Sequence, residues 1–82
     1  MDNIIKIGKV NSSIDESIKY QVGLHIIRGT VHIEIEHSEI VSWIQVGENV
    51  DLDSPNKTRD ALNVATEFLK TNDIFEFKRY YI

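Results

Sequence analysis

Ile18-Lys19-Tyr20-Gln21-Val22-Gly23-Leu24-His25-Ile26 decides the fold class of this chain. Ile18, Tyr20, Val22, Leu24 and Ile26 alternate with Lys19, Gln21, Gly23 and His25. Because successive side chains of an extended strand point to opposite faces, the alternation predicts a strand with one face in a core and the other outside it.

Toward the C-terminus, Thr30 to Glu36 repeats the pattern, with Val31, Ile33 and Ile35 set against Thr30, His32, Glu34 and Glu36. Arg28-Gly29 between the two runs predicts a two-residue hairpin turn. That turn would place Ile27 opposite Thr30, Ile26 opposite Val31 and His25 opposite His32. A third run, Ile40 to Val46, carries Ile40, Ile44 and Val46 on one side and Val41 and Trp43 on the other. It is apolar on both faces, so one of them needs cover that a single helix does not give. With His37-Ser38 as a second tight turn, His32 would face Trp43 and Glu34 would face Val41.

Toward the N-terminus, residues 3–10 form a shorter predicted strand bearing Ile5 and Ile7, closed by the turn residues Asn11-Ser12-Ser13. After the loop Gly47 to Asp53, Ser54-Pro55 has the form of an N-cap followed by proline in the first turn. A helix from Pro55 to Thr71 follows, with Ala61, Leu62, Val64, Ala65, Phe68 and Leu69 along one stripe and Lys57, Arg59, Asn63, Glu67 and Lys70 opposite. Asn72 suits the left-handed residue that ends a helix. Ile74 to Tyr81 then alternates Phe75, Phe77 and Tyr81 against Glu76, Lys78 and Tyr80. This is a fifth predicted strand, directed antiparallel to the first and able to pair with it.

The expected architecture is α+β: a five-stranded, mainly antiparallel sheet in the order β-β-β-β-α-β, with one helix on one face. A chain of 82 residues supports a single domain over 1–82 and one core. With 41% hydrophobic and 27% charged residues, the composition is that of an ordinary globular chain. The absence of cysteine excludes disulfides, thiolate metal sites and cysteine nucleophiles. No basic region followed by an apolar run opens the sequence, and no stretch approaches the ~18 apolar residues of a membrane span. A cytoplasmic location is the expectation.

Charge is regional. From Gly29 to Asn56 there is no Lys or Arg, and Glu34, Glu36, Glu39, Glu48, Asp51 and Asp53 give that segment a net charge of −6, against +1 for each flank. Few, scattered basic residues and a pI near 5.2 argue against direct binding to nucleic acid. An acidic strip instead suits a basic surface on a protein partner, where charge complementarity speeds encounter and makes binding sensitive to salt. The expected function is a small acidic, non-catalytic protein-binding module of the inhibitor, immunity or counter-defence type. Glu34, Glu36, Glu39, Glu48, Asp51 and Asp53 would face the partner, with Trp43 as an aromatic anchor. The plainer alternative is an acidic face that only keeps the chain soluble.

Two other classes compete. A homodimer through the open sheet face would account for Trp43 in an assembly protein. A metal-dependent enzyme or sensor would use His25, His32 and Glu34, since two imidazoles and a carboxylate can hold a catalytic zinc ion. Neighbouring strands bring such residues together often without function, so neither a metal nor any other cofactor is expected. Asp51-Leu52-Asp53-Ser54-Pro55-Asn56 resembles a calcium loop only superficially. An EF-hand needs a ligand where Pro55 stands, glycine where Asn56 stands and glutamate where Leu62 stands. The four glycines open no helix as a phosphate loop would, and no serine lies in a nucleophile elbow. No enzymatic activity is expected.

Overall fold

A computed structural model of the chain describes residues 3–37, 40–47 and 50–71. It is α+β. Four strands, β1 (Ile4–Asn11), β2 (Lys19–His25), β3 (Val31–His37) and β4 (Ile40–Gly47), form one sheet in the order β1-β2-β3-β4, followed by helix α1 (Lys57–Thr71). Every neighbouring pair is antiparallel. The described sheet therefore has four strands, and the expected fifth, Ile74 to Tyr81, lies outside the described residues together with the proposed helix stop at Asn72. No helix among the described residues is long and apolar enough to cross a membrane.

The core joins the expected apolar face of the sheet to the helix stripe. Tyr20, Val22 and Leu24 of β2 and Val31 and Ile33 of β3 are buried with Ala61, Ala65 and Leu69 of α1, and Val50 closes one end. Ala61 and Ala65 stand four residues apart on one helix face. Because both end at Cβ, the helix can lie close to the two central strands, and Leu69 fills the space beyond them. Ser13 Oγ, in the β1–β2 connection, donates to the carbonyl of Leu69 at 2.5 Å and ties that connection to the last turn of α1.

The helix begins two residues later than expected. Ser54 Oγ accepts from the Asn56 amide at 3.1 Å and Asp51 Oδ1 accepts from the Asp53 amide at 2.9 Å, so these residues form successive side-chain-closed turns. The i→i+4 bond from the Asp60 amide to the Asn56 carbonyl, at 2.9 Å, lies at the start of α1.

Both hairpin registers differ from expectation, each by two residues. Leu24 pairs with Val31 and Gly23 with His32, while the His25 amide donates to the Thr30 carbonyl at 2.9 Å. The turn is therefore not the two-residue Arg28-Gly29 but the four-residue loop Ile26–Gly29, closed by the Gly29 amide on the His25 carbonyl at 2.9 Å. Gly29 has φ +72°, in the left-handed region that glycine enters without a Cβ penalty. Likewise His37 pairs with Ile40, Glu36 with Val41 and Glu34 with Trp43, so Trp43 opposes Glu34 and not His32. Side chains alternate with a period of two, so a two-residue slip changes every cross-strand partner and no face.

Candidate functional site: the open sheet face

The face of the sheet away from α1 carries the residues singled out by their chemistry. Its centre is Gly23, the one position on this side of β2 without a side chain. A Cβ placed there would stand 2.5 Å from Ile4 Cγ2 and 2.7 and 2.9 Å from Trp43 Cζ3 and Cη2. The Trp43 ring thus reaches from β4 across β3 and settles over the β2 backbone, beside Ile4 of β1. Part of its surface is spent inside the molecule, and Trp43 is half-buried, while Val41 beside it on β4 is 53% exposed. A glycine inside a strand pattern marks a close approach or a bulge, so Gly23 was the legible signal for this contact. Its partner two strands away was not.

Around the centre, Glu34 Oε2 lies 3.9 Å from Lys6 Nζ, with the glutamate side chain 26% exposed. Lys6 neutralises part of the predicted acidic surface. A pair this open contributes at most about 1 kcal/mol, so Glu34 can exchange its partner cheaply. β1 is bulged between Lys6 and Gly8, and Gln21 Nε2 donates to the Gly8 carbonyl at 2.7 Å.

The predicted histidine pair is present, but diagonal. His25 is level with Thr30, and its ring centroid lies 6.4 Å from that of His32, tilted by 41°. His25 Nδ1 accepts from the amides of Ile27, at 3.3 Å, and Arg28, at 3.1 Å. His32 is buried, and its Nε2 shares a hydrogen bond of 2.7 Å with Thr30 Oγ1. Burial holds the His32 imidazole below its ordinary pKa, and the neighbouring His25 pushes it in the same direction. One nitrogen of each ring is therefore engaged by the chain itself. Among the described residues no three His, Asp or Glu side chains converge in a way that could hold a metal ion, so His25, His32 and Glu34 do not form the zinc set considered above.

Of the six acids, the four among the described residues fall into two separate places. Glu34 is on the open face, and Glu36 stands two residues further along β3, opposite Val41 in register. Asp51 and Asp53 are exposed in the loop before α1. That loop is tied to the other end of β3, because the Val50 amide donates to the Gly29 carbonyl at 3.1 Å. At roughly 3.3 Å per strand residue, Gly29 and Glu36 are about 20 Å apart. The sheet thus separates Glu34 and Glu36 from Asp51 and Asp53, and Glu39 and Glu48 lie outside the described residues.

No family model, curated protein or solved structure matches the chain.

Proposed function

We propose that the chain is a small non-catalytic protein-binding module of the cytoplasm. In this reading the open sheet face receives a partner with a basic surface, as an inhibitor or immunity-type protein would. The observation that carries it is the one-sided cover of the sheet among the described residues: α1 buries the face of Val22, Leu24, Val31 and Ile33, while the other face presents Val41, Trp43 and Glu34. An apolar patch with a weakly paired carboxylate beside it has the composition of an interface core and its rim. A guanidinium or ammonium group from the partner would replace Lys6 at Glu34 and reach Glu36, with Trp43 and Val41 supplying the apolar contact. Asp51 and Asp53 form a second acidic group whose part is separable by mutation.

The test is affinity capture from a lysate of the source cell at low and high salt, comparing wild type with Glu34→Lys/Glu36→Lys and with Asp51→Lys/Asp53→Lys. A partner released by salt and lost with the first pair supports the reading. A partner lost only with the second moves the interface to the loop before α1, and one indifferent to salt and to both pairs sinks it.

A second reading is a homodimer. It is favoured by β4, an outer strand of the described sheet whose eight residues include no Lys, Glu, Asp, Arg or Pro to discourage pairing with another chain. The Gln45 amide points to the outer edge of β4, since His32 opposite it bonds to β2; a sedimentation mass that doubles with concentration, and a doubling abolished by Gln45→Pro, support that reading.

A further inference from the structure

The His25 ring has a task in the fold that its protonation would end. Its Nδ1 accepts from the amides of Ile27 and Arg28, which requires a lone pair on that nitrogen and leaves the proton of the neutral ring on Nε2. Adding a proton at Nδ1 converts the acceptor into a donor facing two donors. The His32–Thr30 bond has no such restriction, because a hydroxyl can donate to Nε2 or accept from it. The two histidines are therefore unequal, and the sensitive bonds are those of His25.

Those bonds hold a loop that is itself a clasp. Within Ile26–Gly29, the Ile26 amide donates to the Asn3 carbonyl at 2.9 Å, and the Gly29 carbonyl accepts from Val50 at 3.1 Å. The loop thus ties β1, the β2–β3 hairpin and the acidic segment before α1 together. Its tip is apolar, with Ile26 and Ile27 47% and 68% exposed, so little packing of side chains supplements the backbone bonds.

We propose that His25 is an acid-sensitive clasp: a proton taken up at Nδ1 opens the Ile26–Gly29 loop and, through Gly29, loosens Val50 and the segment bearing Asp51 and Asp53.

The charges around the pair come from every element near it. Lys6 of β1 and Arg28 of the loop are the cations, and Glu34 of β3 is an acid partnered by Lys6 at 3.9 Å. Asp51, next to Val50, and Asp53 are the described acids of the loop before α1. On β4 the neighbours of His32 are the uncharged Gln45 and Trp43, and α1 lies on the opposite face. Burial and the neighbouring His25 hold the His32 imidazole below its ordinary pKa.

Amide hydrogen exchange followed by NMR on the full chain tests this. Between about pH 7.5 and pH 5, spanning the ordinary histidine range, the Gly29 and Val50 amides should lose roughly tenfold in protection after correction for the intrinsic rate, the effect of losing one or two ordinary hydrogen bonds. The amides of the β3–β4 ladder should not change. His25→Asn places a side-chain oxygen in the Nδ1 position as a non-titrating acceptor for the same amides; it should keep their protection at both pH values. Unchanged protection in the wild type, or equal loss in His25→Asn, overturns the proposal. The wild type supplies an independent check if the variant folds poorly: nitrogen shifts must report His25 as the Nε2–H tautomer at pH 8, and an Nδ1–H tautomer refutes the clasp.

Discussion

Gly23→Ala sets one methyl group against the Trp43 ring. The added carbon would lie 2.5 Å from Ile4 Cγ2 and 2.7 Å from Trp43 Cζ3, where carbon atoms settle at about 3.5–4.0 Å. Both side chains must therefore move by about 1 Å or more. The β2 backbone is fixed between β1 and β3, whereas Trp43 is half-buried at the surface and free to swing outward. If roughly 100 Å² of its ring returns to water, about 2.5 kcal/mol is lost at ~25 cal/mol per Å². Alanine restricts the unfolded chain and offsets about 0.5–1 kcal/mol of that, leaving a net destabilisation of about 1–2 kcal/mol. In a domain this small the melting temperature should fall by roughly 5–15 °C. Trp43 is the only tryptophan, so native-state fluorescence reads the contact directly and the variant's emission should shift to the red. In a Trp43→Ala background the same substitution should lose most of its cost, a coupling measured by a double-mutant cycle in urea. Native emission unchanged in Gly23→Ala, or an equal cost in both backgrounds, would show that the ring does not rest on Gly23.

Two further perturbations probe the same end of the sheet. Gly29→Ala adds a Cβ 2.5 Å from the Val50 carbonyl oxygen at a residue with φ +72°. The obstacle is backbone, so about 2 kcal/mol or more should be lost in urea unfolding, with Val50 losing protection at every pH; a neutral result would count against the loop conformation. His32, whose folded-state pKa is held below its unfolded value, contributes stability that is present above about pH 6.5 and lost as pH falls through the lowered folded value, because the unfolded chain then binds more protons. His32→Gln should flatten the pH dependence of the urea midpoint over that window, and an unchanged profile would place its origin elsewhere.

Much of the fold could be read from residue spacing. Tyr20, Val22, Leu24, Val31 and Ile33 formed the buried face expected of them because a period of two commits each residue to a side before its partners are known. The helix stripe, with Ala61, Ala65 and Leu69 buried, followed from the 3.6-residue period in the same way. Trp43, Val41, Glu34, His25 and His32 keep the expected side of the sheet, away from α1, because each hairpin register differs by an even number of residues.

Partners were a different matter. Loop length decides register, and Ile26–Gly29 spans four residues because Gly29 takes a left-handed turn and His25 Nδ1 supplies an acceptor to the loop amides. Both are properties of the closed loop, and the dipeptide Arg28-Gly29 does not show them. The Trp43–Gly23 contact spans two strands, the Glu34–Lys6 pair spans β2, and the separation of the acids depends on Val50 binding back to Gly29. Periodicity by itself determined which side of the sheet the residues of β2 and β3 occupy, since that is set by local backbone geometry, whereas the bulge in β1 interrupts the period. Which residues meet across that side was decided only by the tertiary structure, because it depends on where distant segments close upon one another.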